Sequence, residues 1–326
     1  MEKTLVGAIR WDAWVWDRNP VGLTFCKNLS ELKYHYRLPF FAEMLDDINV
    51  KIDGVKQKIY DQELQYAHAA GIDYFAVCWY PDGSNLEHQR KLYFSSQYKH
   101  LVKWCIIHGT NPFDLDKDMA WLVSEMKQDT YQKVCGGRPL VYMFTVNEGQ
   151  RPFIDKLKKD CQQAGLKPPY FVAMGFSKNI SNEAKALGVD AISAYCCYAE
   201  NGCDYQTQMR GEVARWNEYK ETGMQVIPFV TTGFDNRPRF EGKGNNGTGS
   251  GYQCAYIEFA TPEQIAEHLG EAISWCKKYP DTAAANAVLM YAWNENDEGG
   301  FIIPTKKEIE EHHAPLRLNA IAKVPR

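Results

Sequence analysis

The chain has 326 residues, 45% of them hydrophobic and 24% charged, a globular composition with room for one large domain or two ordinary ones. Its net charge of −4 and the lack of a basic stripe exclude nucleic acid as a partner. No run of about 18 apolar residues exists, so no helix is expected to span a membrane.

From the N-terminus, short apolar runs alternate with longer amphipathic ones. Strands are predicted at 5–11, 74–79, 101–107, 140–145, 170–175, 191–195, 226–231 and 287–293. Helices are predicted between them at 59–71, 86–97, 115–132, 151–165, 181–187, 206–222 and 262–278. In "YAHAAGID" and "DKLKKDCQQAGL", Gly71 and Gly165 stand where a helix needs a left-handed C-cap. In "TPEQ", Thr261 is the N-cap, Pro262 opens the first turn and Gln264 completes a capping box. The strands are near-continuous apolar runs, as parallel strands covered on both faces are.

Eight strands alternating with helices are the pattern of an α/β (β/α)8 TIM barrel. A doubly wound sheet is the alternative, but no glycine-rich phosphate turn follows the first strand. Residues 12–58 and 233–260 are long βα loops, which a barrel carries on its C-terminal face. No linker divides the chain, so 1–326 reads as a single barrel domain. The segment 241–252 reads as a loop. Its "GKGNNG" lacks the flanking strand and helix of a phosphate site, and the sequon at 246–248 is equally weak.

The ten cysteines follow neither a disulfide framework nor a zinc-knuckle spacing. They read as small buried hydrophobes, with a bridge among Cys196, Cys197 and Cys203 as the alternative. No HExxH-like spacing is present, and neither metal nor cofactor is expected. No secretory signal is readable. The leaning is towards a secreted or periplasmic protein whose signal peptide is absent from this chain, with a cytoplasmic location as the alternative. Nothing in the sequence sets an oligomeric state.

Barrel chemistry comes from residues just after each strand. Here those positions hold Trp11, Asp12, Trp14 and Trp16; then Trp79, Tyr80 and Asp82; then His108 and Asn111; then Asn147 and Glu148. Later strands deliver Tyr195 and Tyr198, then Asp235, Asn236, Arg237 and Arg239. The last strand empties into Asn294, Glu295, Asn296, Asp297 and Glu298. Aromatic faces stack on sugar rings, carboxylates and amides bind vicinal hydroxyls, and a carboxyl pair works on the anomeric carbon. The expected partner is therefore a carbohydrate. Trp14, Trp79 and Tyr80 are expected to be stacking platforms. Trp11, Asp12, Asn147, Tyr195, Asp235, Arg237 and Asn294 are expected to contact substrate. Crowding three carboxyls into four residues should raise one pKa. Asp297, between the two glutamates, is expected to fix the turn.

"WNENDEGG" (293–300) resembles the WNEW-x-EG signature of barrels related to glycoside hydrolase family 99, the endo-α-mannosidases, and of WbsX-like proteins. "GIDYFAVCWYPDG" (71–83) and "TTGFDNRPR" (231–239) resemble that group's second-strand and seventh-strand segments. The resemblance implies a retaining glycosidase in which Glu295 is the base, helping the sugar's own 2-hydroxyl attack, and Glu298 the general acid. Asn296, Asp297, "FIIPT" (301–305) and "RWDAW" (10–14) depart from the family pattern in the sugar-contacting shell, so mannose is not carried over. Three rivals stand beside this reading. "VNEG" (146–149) resembles the Asn-Glu pair of other retaining barrels and would make Glu148 the acid/base, with Asp235 or Glu295 as nucleophile. The WbsX relatives suggest a glycosyltransferase, for which Arg237 and Arg239 are the diphosphate candidates. The last rival is a non-catalytic carbohydrate-binding barrel.

Overall fold

The computed structural model describes residues 3–241 and 254–326; the glycine-rich motif and the sequon lie outside them. Nine parallel strands form one sheet: β1 (Leu5–Arg10), β2 (Tyr74–Cys78), β3 (Lys103–His108), β4 (Arg138–Met143), β5 (Tyr170–Met174), β6 (Ala191–Ser193), β7 (Gln225–Val226), β8 (Phe229–Thr231) and β9 (Ala287–Tyr291). Their order is β7-β6-β5-β4-β3-β2-β1-β9-β8. Lys133–Val134 adds a short antiparallel strand beside β4. The register runs Leu5↔Ala287 on one side of β1 and Gly7↔Tyr74 on the other.

The seventh predicted strand is split. Pro228 has no N–H to donate, and it separates β7, which pairs with β6, from β8, which pairs with β9. The backbone bonds continue across the break, from Ile227 to the Ile192 carbonyl (3.1 Å) and from Leu289 to the Pro228 carbonyl (2.9 Å).

The apolar strand runs follow from double-sided burial. Every residue of β5 and β9 is buried. Inside the sheet, Gly7 is glycine because a Cβ there would overlap the Tyr74 ring. That ring's hydroxyl meets the Tyr142 hydroxyl at 2.8 Å.

The helices are α1 (Pro20–Asn28), α2 (Gln57–Ala69), α3 (His88–Ser95), α4 (Lys117–Met126), α5 (Arg151–Gln163), α6 (Ile180–Ala186), α7 (Tyr205–Glu221), α8 (Arg237–Glu241), α9 (Pro262–Lys278), α10 (Lys306–His312) and α11 (Leu316–Ile321). The Thr261–Gln264 capping box opens α9. Gly71 and Gly165 take the left-handed conformation, at φ 77° and 75°. The long segment after β1 holds α1 and a 3-10 turn, Leu32–Arg37. All ten cysteines are free thiols, so no bridge joins Cys196, Cys197 and Cys203.

Candidate active site

The ends of β1, β6, β8 and β9 bring four carboxyl groups and three guanidiniums together. Asp235, after β8, has two cations to itself: Arg37 Nη2 donates to Oδ2, and Arg237 donates through Nε (2.8 Å) and Nη2 (2.9 Å). Burial pushes Asp235 up, but the two arginines outweigh it and hold the carboxyl below its ordinary value. Arg239 bridges the next two. Its Nε donates to Asp297 Oδ2 at 2.6 Å and its Nη1 to Glu298 Oε1. Tyr291 Oη donates to the other oxygen of Glu298.

Glu295 has no ion-pair partner among the described residues. It is 3% exposed, and the hydroxyl of Tyr195, after β6, donates to its Oε1 at 2.6 Å. Burial, then the facing charges of Glu298 and Asp297, drive its pKa well above the ordinary carboxylate range. Arg239 and the Tyr195 bond oppose this and do not cancel it. Burial and the facing carboxylates therefore favour the protonated form of Glu295. That direction runs against the base role that the family resemblance implies for Glu295. Arg237 serves Asp235, and Arg239 serves Asp297 and Glu298.

The two glycines after the glutamates are required locally. Gly299 lies at φ 79°, and a Cβ on Gly300 would overlap the Tyr291 ring that reaches Glu298. Asp297 is fully buried and its pKa is raised, chiefly by burial. It turns inward onto Arg239 as well as sitting in the turn.

Other expected contacts sort differently. Asn294 is a strap: its Oδ1 accepts from Trp11 N (2.9 Å) and its Nδ2 donates to Trp11 O (2.8 Å). Its own carbonyl accepts from Trp14 Nε1 at 2.8 Å. Trp14 is 1% exposed and Trp79 2%, so neither offers a face to a sugar. Trp14 belongs to a cluster with Phe25 and Leu29. Trp79 is covered by Arg90, Phe113 and Trp121, and its Nε1 donates to Pro112 O at 3.0 Å. Tyr80 is buried and its hydroxyl accepts from Trp11 Nε1. Asp12 is buried against Arg10 (2.7 Å), which also reaches Glu63 and Gln89; burial lifts Asp12 to about 6 against the pull of Arg10. His108 stacks on Phe153 at 3.5 Å, and burial lowers it to about 4.

Trp11 stays partly open, edge-on to Phe25 and within 5.8 Å of the Arg239 guanidinium. Glu148 and Asn147 lie on the exposed loop after β4. Glu148 forms a two-point pair with Arg151 (2.7 and 2.8 Å), and Asn147 caps the turn through Gly149 N (2.9 Å).

Four residues escaped the sequence reading or were underweighted. Arg37 arrives from the 3-10 turn after α1. Tyr291 sits inside an all-apolar strand run. Phe144 is 39% exposed and edge-on to Tyr195 at 5.2 Å. In sequence, Arg239 reads only as one of two diphosphate candidates. The signal for the arginines was the charge count itself: three carboxyls after β9 and one after β8 require cations from elsewhere.

No curated protein sequence matches this chain. Two solved structures of the GH99 endo-α-mannosidase from Bacteroides thetaiotaomicron match its fold. One is a complex with bis-tris-propane, with a TM-score of 0.54; the other has a TM-score of 0.53. Both are 12% identical, over 93% of this chain and 88% of theirs. Residues 99–313, well over half of the chain, match the family model described as Glycosyltransferase WbsX, and the chain belongs to the WbsX family.

Proposed function

We propose that this WbsX-family chain is a glycoside hydrolase, a single (β/α)8 catalytic domain in which Glu295 and Glu298 do the chemistry. A closed barrel is supported by the two ends of the sheet, β7 and β8, being one chain segment interrupted at Ile227 and Pro228. The observation that carries the catalytic reading is the split within one cluster. Glu295 is buried, has no ion-pair partner among the described residues, and has its pKa raised by burial and by the charges of Glu298 and Asp297, whereas Glu298 receives Arg239 and Tyr291. A carboxyl whose protonated form is favoured, beside a second one held by a guanidinium and a phenol, is the kind of pair acid-assisted glycoside cleavage uses.

In this reading Glu295 gives its proton to the glycosidic oxygen as the bond to the anomeric carbon breaks. Glu298 supports attack at that carbon, directly or through the sugar's 2-hydroxyl. Glu295 then takes a proton from the water that completes hydrolysis, with overall retention. Trp11 and Phe144 are the ring-stacking surfaces. The order of acid and base is the reverse of the one implied by family resemblance.

The test is a digestion screen over glycans with wild type, Glu295→Gln and Glu298→Gln, followed by proton NMR of the first product's anomeric signal. The expected result is hydrolysis with retention, with the alkaline limb of the pH profile lost in Glu295→Gln. Loss of that limb in Glu298→Gln instead would restore the family order. Transfer from a nucleotide sugar with no hydrolysis would overturn the reading. Against transfer, the three arginines of the cluster are all committed to carboxylates.

A further inference from the structure

Most buried arginines of this protein have carboxylate or carbonyl partners. Arg10 is the fullest case, with Asp12, Glu63 and Gln89 around it. Arg317, on α11, is different. It is 5% exposed, and among the described residues its guanidinium has neither an ion pair nor a hydrogen bond. Its guanidinium lies between two rings, 4.6 Å from the Phe259 centroid and 4.0 Å from that of Phe301. Burial lowers its pKa to about 10, even with Glu308 and Tyr36 pulling the other way. A buried charge with no counter-ion is costly, and a fold that only wanted packing there would use an apolar side chain.

The guanidinium opens into a pocket of about 200 Å³ that also holds Tyr36, Phe259, Thr305, Lys307 and His312. Glu308 is the one carboxylate in its wall, and its Oε2 is occupied by Thr305 N at 2.8 Å. The pocket therefore offers a planar fork of donors and a lysine to whatever enters. That donor set matches an oxyanion: carboxylate, sulfate or phosphate.

Its location says what would carry the oxyanion. Tyr36 and Phe259 are shared with a second pocket of about 180 Å³, whose wall includes Arg37, Asp235, Arg237 and Gly299. The two pockets are neighbours with a common wall, so the Arg317 pocket adjoins the one beside Asp235. Phe259 stands between them, 53% exposed, with Tyr36 edge-on at 5.1 Å. An open aromatic ring beside an unpaired guanidinium is the surface an acidic sugar fits, its ring on Phe259 and its charge on Arg317.

We infer that Arg317 forms an oxyanion subsite that makes this protein selective for an acidic glycan, one whose sugar residue near the cleaved bond carries a carboxylate or sulfate. The inference rests on the hydrolase reading for its substrate class, but not for the binding itself.

The experiment is calorimetric titration of the full chain with four probes: inorganic sulfate, a glucuronate-containing oligosaccharide, a neutral oligosaccharide of equal length, and a uridine diphosphate. Wild type, Arg317→Met and Arg317→Lys are compared, with melting temperatures for each. Sulfate and the acidic oligosaccharide are expected to bind wild type and to lose roughly 30-fold or more in Arg317→Met, with partial recovery in Arg317→Lys. Affinity for the neutral oligosaccharide should be unchanged by either substitution. The melting temperature of Arg317→Met should hold or rise, because an unpaired charge has been removed. A fall in melting temperature with anion binding intact would make Arg317 a packing residue and overturn the proposal. So would binding of uridine diphosphate without binding of the acidic oligosaccharide. Acidic-glycan binding through Arg317 with no cleavage of any glycan would leave the subsite standing and remove the hydrolase reading instead.

Discussion

Two loops of this protein each offer a glutamate at the end of a sheet strand, and they have become different things. After β4, Glu148 lies in the open and pairs with Arg151, three residues on. After β9, Glu295 is enclosed by residues from distant parts of the chain: Tyr195 a hundred positions earlier, and Arg239 fifty-six earlier through its hold on Asp297 and Glu298. A local pair in solvent adds little stability. A carboxyl enclosed by remote groups can be held in a protonation state it would not choose in water. The difference is one of burial and of partner distance in sequence, not of the motif that announces the residue.

The largest expected effect tests that contrast in turnover. Glu295→Gln and Glu298→Gln should each lower kcat by about 10²–10⁴-fold on the natural glycan, the usual range for removing a positioned acid or base. Steady-state kinetics on both variants, at matched melting temperature, would check it. A variant of either with wild-type kcat would end the assignment.

The next effect concerns the cations that hold the cluster together. Asp235 is the shared partner of Arg37 and Arg237, and Arg37 is 1% exposed. Asp235→Asn leaves a buried guanidinium without its counter-charge, which costs about 3–5 kcal/mol when a buried pair loses one member. Denaturant unfolding should show a shift of that size in the midpoint-derived stability. An effect near zero would mean that Arg37 finds another partner, such as the Asp297 carbonyl at 3.5 Å.

Glu295 should also reveal itself through stability against pH. Its folded pKa is raised, so the folded state binds a proton that the unfolded chain gives up. Below the unfolded value, near 4.5, both states hold the proton and Glu295 contributes nothing to the pH dependence. As pH rises through the window up to the folded value, stability is lost. Glu295→Gln has no such window. Its melting temperature should match wild type near pH 4.5 and exceed it by a few degrees at pH 8. A variant less stable than wild type at pH 8 would show that Glu295 is ionised there and stabilised by its neighbours.

Tyr195→Phe sharpens the same point at smaller amplitude. The lost hydroxyl is a donor that favours the charged form of Glu295, so its removal should move the alkaline limb of the pH profile upward. The expected loss of kcat at the optimum is about tenfold, the scale of one hydrogen bond to a charged group.

How much of this was legible in the sequence follows the same local-versus-remote division. The strand and helix order was readable because apolar runs, glycine C-caps and the Thr261 capping box are signals within a few residues. The break in the seventh strand was readable in principle, since Pro228 lies in it. The residues after each strand were readable as candidates, since the sheet fixes where strand ends point. What those residues do was not. Trp14 and Trp79 look like sugar platforms in sequence, yet the loop after β1 closes over one, and Arg90 and Trp121 close over the other. Asn294 looks like a ligand for hydroxyls and is a strap between β1 and β9. Arg37 is invisible because nothing near "YHYR" (34–37) says that it ends beside Asp235, nearly two hundred residues away.

The smallest expected effect is the most pointed test of the comparison. Glu148→Gln removes a carboxylate from the "VNEG" motif that would have made it the acid/base of a different retaining mechanism. Its pKa is lowered, first by the hydrogen bonds from Arg151, which favours the charged form and works against a proton-donating role. It lies on an exposed turn capped by Asn147, and Arg151 also reaches the Ala186 carbonyl at 3.1 Å, so the arginine keeps a partner when Glu148 is neutralised. Exposed pairs of this kind contribute little, so the melting temperature should change by about a degree or less and kcat by less than about twofold. The measurement is the full pH–rate profile of Glu148→Gln beside that of Glu295→Gln. Overlay of the Glu148→Gln profile on wild type, with the alkaline limb missing only from Glu295→Gln, is the expected outcome. If Glu148→Gln instead loses the alkaline limb while Glu295→Gln keeps it, proton transfer runs from the open loop after β4, and the buried cluster after β9 holds the site together without supplying its acid.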